Sequence, residues 1–284
     1  MHHLGKYFSF LVVVFTLALI PKFSLAEPIS VFVSIAPQKY FVERIGGGQV
    51  KVETMLKPGE SPATFNPNPK KMNRLANAKL YFSIGVPFER IWVSRLKAIQ
   101  PDLKFISLNH NLSSKIESGH SQNKQDPHIW LSPLLAKKMV TEIEAALSKA
   151  KPERAEIFKI NNIALAQELD ILDQEIRDIM ATAKSRNFMV FHPAWSYFAE
   201  AYDLKQVAIE NQGKEPGPRT LQEIINKGKK LKIKTIFVQK QFSLSVAKNI
   251  AKMIGANVQE MDPLAENYFE NMRKTAKAIS GANH

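Results

Sequence analysis

The sequence predicts an α/β protein of two βα lobes with mainly parallel sheets, joined by one long bridging helix. Three observations predict it. Short β-branched or apolar runs alternate with amphipathic segments from Val31 to Leu108. An uninterrupted helical pattern, Pro152 to Lys184, stands in mid-chain and is the longest in the sequence. Beyond it the alternation restarts and runs to Ile279 with similar βα content, although no convincing sequence repeat relates the halves.

The chain opens with Lys6 as a positive n-region, Phe8 to Ile20 as an apolar h-region, and Ser24-Leu25-Ala26 as a small-residue cleavage site before Glu27. Residues 1–26 therefore read as a signal peptide cleaved near Ala26, and the expected location is the periplasm. With no cysteine in 284 residues there is neither a disulfide framework nor a thiolate metal site, and no lipid-modifiable cysteine at the cleavage point. The 258 residues that follow suffice for one large or two medium domains. They divide into an N-terminal βα lobe (27–151), a linking helix (152–184) and a C-terminal βα lobe (185–284).

In the first lobe the strands are expected at Val31 to Ile35, Val50 to Leu56, Leu80 to Ile84 and Leu103 to Leu108. Helices are expected at Gln38 to Ile45, stopped by Gly46-Gly47-Gly48, then at Lys70 to Ala78 and Phe88 to Ile99. Asn109 to Gln125 is polar and aperiodic, which predicts a mobile surface loop carrying His110 and His120. Regularity returns at Ile129-Trp130-Leu131 and in a helix over Pro133 to Ala150.

In the linking segment Phe158, Leu165, Leu169, Leu172, Ile176 and Ile179 recur at spacings of three, four and seven, forming one apolar stripe, with Pro152 suited to a first turn. About 30 residues at 1.5 Å rise extend roughly 45 Å, enough to bridge two lobes. The second lobe then reads as strands Phe188 to Phe191, Gln206 to Ile209, Thr235 to Gln239 and Val258 to Met261. Its helices are Ala194 to Tyr202, Leu221 to Leu231, Leu244 to Ile254 and Asn267 to Ile279.

The formal charge is +13, and removal of Lys6 and Lys22 with the leader leaves +11. Export argues against a nucleic-acid partner. Lys229, Lys230, Lys232 and Lys234 are interleaved with apolar residues and read as a solvated helix-to-strand face.

Three residues are candidates for chemistry. His192 follows the apolar run Phe188 to Phe191 and precedes Pro193, so one imidazole should stand at the carboxyl end of a strand, the edge where open α/β sheets bind ligands. His128 lies in Asp126-Pro127-His128-Ile129-Trp130, where Pro127 stiffens the approach and Asp126 can accept a ring N–H. Asp262 ends another predicted strand; its carboxylate either converges on the same edge or caps the next helix. Two imidazoles and a carboxylate form a zinc set, and Mn²⁺ also accepts these ligands.

Four ordered runs now carry a resemblance. They are Gly59-Glu60-Ser61-Pro62-Ala63-Thr64-Phe65-Asn66-Pro67, Asp126-Pro127-His128-Ile129-Trp130-Leu131-Ser132-Pro133, His192-Pro193-Ala194-Trp195-Ser196-Tyr197-Phe198 and Asp262-Pro263-Leu264. Over essentially the whole mature sequence the chain resembles the zinc/manganese solute-binding proteins of ABC importers. The resemblance implies metal ligands at His128, His192 and Asp262, and a monomer that delivers Zn²⁺, or alternatively Mn²⁺, to an inner-membrane permease. It also implies a histidine in the first motif, where this chain has Ala63, so the implied ligand set has three members. A fourth position then falls to water or to His110 or His120, or else the ligand is something other than a bare cation, such as a chelated metal. Glu210, Lys214 and Glu215 share in the resemblance without a derivable role, surface ion pairing being the default.

Two other function classes are compatible with these residues. Three protein ligands and an open position also describe a zinc hydrolase, which needs a general base such as Glu60 or Glu210, yet no HExxH motif is present. A periplasmic interaction protein that has lost metal binding is the other class, made possible by Ala63. The expectation is a binding protein rather than an enzyme.

Overall fold

The computed structural model describes residues 27–110, 126–210 and 214–281. The expected leader, His120 and most of the expected loop lie outside these residues. Among the described residues no helix is long and apolar enough to cross a membrane.

The first lobe contains β1 (Ile29–Val33), α1 (Ala36–Gly46), β2 (Val50–Thr54), α2 (Pro69–Leu75), β3 (Leu80–Ser83), α3 (Glu89–Ile99) and β4 (Lys104–Ser107). Its strands form one parallel sheet in the order β2-β1-β3-β4. β1 ends two residues earlier than the apolar run predicts. The reason is local: the backbone N–H groups of Ser34 and Ile35 both donate to Gln38 Oε1, at 2.9 and 3.1 Å, which turns the chain out of the sheet and into α1.

After a 3₁₀ turn at Ile129–Leu131 come α4 (Pro133–Ala150), a second such turn at Pro152–Arg154, and α5 (Ala155–Ala181). The bridging helix is thus real but shorter than its sequence pattern, because Arg154 N–H closes back on Lys151 O at 3.0 Å and holds Pro152 in a separate turn. Its 27 residues run about 40 Å. Phe158, Leu165, Leu169, Leu172 and Ile176 are fully buried, as the stripe requires. Asp173 is buried on the same face, accepting hydrogen bonds from Tyr202 OH (2.9 Å) and Arg177 Nε (2.8 Å).

The second lobe contains β5 (Asn187–Val190), α6 (Ser196–Ala201), β6 (Lys205–Ala208), α7 (Pro218–Lys230), β7 (Thr235–Val238), α8 (Leu244–Ile254), β8 (Asn257–Glu260) and α9 (Tyr268–Gly281). Its sheet is again fully parallel, in the order β6-β5-β7-β8, the same pattern of neighbours as in the first. The two βα lobes therefore share one topology without a visible sequence repeat.

One apolar core runs through the first sheet, α1, α4 and α5 into the second lobe, where it takes in Phe188, Val190, Trp195, Phe198 and Phe237. A smaller core, with Met189, Phe191, Val207, Ile236 and Ile250, covers the other face of the second sheet. β5 is thus buried on both faces, as parallel sheets require. α9 returns across the junction: Tyr268 packs on Phe41 of α1 with ring centroids 4.7 Å apart. The lobes share packed side chains rather than a thin hinge.

Candidate metal-binding cleft

His192 is the second residue after β5. On either side of β5 lie β6 and β7, which the chain reaches through connections running in opposite directions, so the imidazole stands at the switch point of the second sheet. Helix α6 starts only at Ser196, not at Ala194, because Ala194 N–H donates to His192 O (2.8 Å) and Trp195 N–H to Gln206 Oε1 (2.8 Å). That tight turn fixes the backbone of His192, and Gln239 Nε2 also donates to its carbonyl at 3.2 Å.

The ring is fixed as well. A carboxylate only accepts, so the 2.9 Å contact of His192 Nδ1 with Glu210 Oε1 is an N–H donated by the ring. This selects the tautomer that presents Nε2 as the free electron pair when the ring is neutral. Phe242 stacks on the other side at 5.2 Å with the planes 19° apart. Glu210 is only 4% exposed, so it is no surface ion pair, contrary to the default expectation. Its position follows from register: β5 and β6 pair Val190 with Ala208, and two residues further His192 meets Glu210. Lys214 and Glu215 are exposed.

His128 precedes the 3₁₀ turn and repeats the same device. Its Nδ1–H donates to Asp126 Oδ1 at 2.7 Å, and its backbone N–H to the same oxygen at 3.0 Å. Burial alone pushes the Asp126 carboxyl up, but the charge of the His128 ring and the hydrogen bonds from His128 and Ser196 hold it below the usual carboxylate range. Tyr197 OH donates to Asp126 O at 3.1 Å, joining the loop of the first lobe to α6 of the second.

The two rings meet edge to face, with centroids 5.3 Å apart and planes at 70°. Their side chains remain 15% and 27% exposed, so the pair faces an opening rather than a sealed core. A cavity of about 510 Å³ is lined by Gly59, Glu60, Ser61, Thr64, Phe65 and Asn66 of the first motif's loop and by Gln241, the residue before the stacking Phe242. Ala63 is exposed on that loop.

Asp262 lies just past β8, on the same edge as His192 but two strands away, about 10 Å at ordinary strand spacing. It caps no helix, since α9 begins at Tyr268; instead its Oδ1 accepts Leu264 N–H at 2.8 Å in an Asx turn. Its motif is tied to that of His128, because Trp130 Nε1 donates to Pro263 O at 2.7 Å. Among the described residues no group of three His, Cys, Asp or Glu is arranged to hold an ion. The pair His128 and His192 is what the fold brings together. His110 is exposed at the end of the first-lobe segment.

Two matched parallel sheets are bridged by a long helix, and an imidazole from each side stands at their junction. The chain belongs to the family described as ZnuA, zinc-uptake complex component A periplasmic, which it matches over residues 31–282. A crystal structure of ZnuA is 36% identical, with a TM-score of 0.84, over 91% of this chain and 100% of that one. A zinc-bound ZnuA deletion mutant is also 36% identical, with a TM-score of 0.85, over 90% and 98%. The zinc-binding lipoprotein AdcA of Streptococcus pneumoniae serotype 4 is 27% identical over 276 residues, 88% of this chain and 55% of that protein. This chain thus spans about half the length of the AdcA relatives it matches. A putative metal-binding protein of Chlamydia muridarum is 28% identical over 253 residues, 88% of this chain and 90% of that protein.

Proposed function

We propose that this protein is a periplasmic receptor that captures a divalent transition metal, zinc in preference to manganese, between its lobes and hands it to an ABC-type permease of the inner membrane. The observation that carries this reading is the opposed pair His128 and His192, each with Nδ1 committed to its own carboxylate, which leaves Nε2 as the ligating nitrogen. Paired imidazoles of fixed tautomer suit zinc, and the carboxylates behind them raise their basicity. Asp262 is the third ligand in this proposal. Its link through Pro263 to Trp130 keeps it beside the His128 motif, and Leu264 occupies only one of its oxygens.

In this reading the protein is exported, loses residues 1–26, and works as a monomer without catalysing a reaction. The first lobe (27–151) supplies His128, the C-terminal lobe (185–284) supplies His192 and Asp262, and the linking helix (152–184) limits their relative motion. The shared core favours small adjustments over a wide clamp.

Calorimetric titration of the purified protein with Zn²⁺ and with Mn²⁺, beside His192→Ala, tests it. Zinc should bind more tightly than manganese, and the variant should lose most of the heat. No heat with either ion would overturn the proposal in favour of an interaction protein.

A further inference from the structure

The basic excess of this chain is not spread evenly. Between Pro218 and Val258 there are nine lysines and arginines and a single acid, Glu223, which pairs with Arg219 at 3.4 Å. Six of the lysines gather in one place. Lys227, Lys229 and Lys230 occupy the last turn of α7, Lys252 the last turn of α8, and Lys232 and Lys234 lead into β7. Helices that return across a parallel sheet end where its strands begin, so all six stand at the entry edge of the second sheet. His192, Glu210 and Asp262 follow the strand exits, at the opposite pole.

All six side chains are exposed, and none forms an ion pair with a carboxylate of the described residues. By contrast Lys39 pairs with Glu266, Lys137 with Asp170, and Lys240 with Glu260. Favourable interaction with a helix C-terminus explains a cation or two in a last turn, not six charges from three elements. Beside Lys252 the apolar side chain of Met253 is 52% exposed.

We propose that this pole is a docking surface for an anionic phospholipid bilayer. The charges are lysines, compact and freely rotating, which suit a diffuse layer of headgroups better than the planar fork of arginine suits it. The surface is built from helix ends and strand entries and has an exposed methionine among its cations, a combination that fits an interface with an apolar layer beneath it. Docked there, the protein turns the opposite pole, with His128 and His192, toward solution, an orientation for capturing an ion rather than for handing it on. The inference does not depend on which ion the cleft takes.

Co-sedimentation of the mature protein with vesicles tests it, using phosphatidylglycerol mixed with phosphatidylcholine against phosphatidylcholine alone, at low and at high ionic strength. The protein should sediment with the anionic vesicles only, and salt should release it. Replacing Lys227, Lys229, Lys230, Lys232, Lys234 and Lys252 by Gln should weaken partitioning by at least about tenfold. The circular dichroism spectrum and zinc titration of that variant should stay unchanged, which separates loss of docking from loss of fold. A control neutralising Lys51, Lys57, Lys70, Lys79, Lys97 and Lys104 of the first lobe should keep most of the binding. Failure to sediment, equal binding to neutral vesicles, or an equal loss in the control would each overturn the proposal. So would retention on soluble polyglutamate with none on vesicles.

Discussion

The indole Nε1 of Trp130 donates to the carbonyl oxygen of Pro263 at 2.7 Å, and this one buried contact joins the segment that carries His128 to the segment that carries Asp262. Tyr268 OH donates in turn to Trp130 O at 2.7 Å, so the junction is held at both ends of the same residue. Trp130→Phe keeps most of the packing and removes the donor. The Pro263 carbonyl then loses its partner in a buried setting, at a cost of about 1–3 kcal/mol. Urea denaturation should show that loss, and zinc titration should show weaker binding than in the parent. Wild-type stability with unaltered zinc affinity would show that the link is not needed to position the cleft.

Glu210 holds the His192 ring, and in the proposed metal site it acts on the ion through that ring. Removing it by Glu210→Ala frees the imidazole to rotate and to take the other tautomer, and such partners of ligating histidines are worth about 10–100-fold in affinity. Glu210→Gln retains an oxygen that accepts the ring N–H and should lose less. Competition with a chromophoric zinc chelator measures both. If the two variants match the wild type, the contact does not orient the ring.

Much of this is legible in the sequence alone. The alternation gave both sheets because each buried strand is a short apolar run bounded by turn residues, as in Leu80–Ser83 and Thr235–Val238. The His128–Asp126 contact was legible because two residues separated by Pro127 have little freedom to part. The His192–Glu210 contact spans 18 residues and depends on the register of β5 against β6, which no local pattern states. Counting from the ends of the two predicted strands would have found it. Asp173 hid inside the apolar stripe of α5, since an acid among leucines reads as a solvated position until its partners are known. The return of α9 onto α1 and α5 was equally silent, because an amphipathic face records that it is buried but not against what.

Asp173 supports the bridging helix against α6. Asp173→Ala strands Tyr202 OH without its acceptor in the core and frees Arg177, whereas Tyr202→Phe leaves Asp173 its arginine. The first change should cost about 1–3 kcal/mol and the second nearer 1 kcal/mol. Chemical denaturation of both variants checks the order. A larger loss in Tyr202→Phe would mean that ring packing, rather than the carboxylate, secures the contact.

Glu89 sets a pH dependence of the opposite sign to that of most carboxylates. It is 5% exposed beside the switch point of the first sheet, accepts N–H groups from Ile84 (3.0 Å) and Gly85 (2.6 Å), and also accepts the hydroxyl of Ser34, which contacts Tyr81 OH at 2.7 Å. Burial pushes its carboxyl from 4.5 up to about 6, against the pull of the Ser34, Gly85 and Ile84 hydrogen bonds. Between those values the native state holds a proton that the unfolded chain has released, so folding weakens as pH rises through this window. The penalty is absent below the lower value and complete above the upper one, where it amounts to about 2 kcal/mol. Glu89→Gln carries no charge at any pH and should remove this component, so that the difference in unfolding free energy between variant and wild type shifts in favour of the variant from about pH 4 to about pH 8. Urea midpoints collected across that range for both proteins read it out directly. A constant difference would mean that Glu89 titrates in the native protein as it does in the unfolded chain, and that the Ser34 hydroxyl and the Ile84 and Gly85 N–H groups solvate it as well as water does.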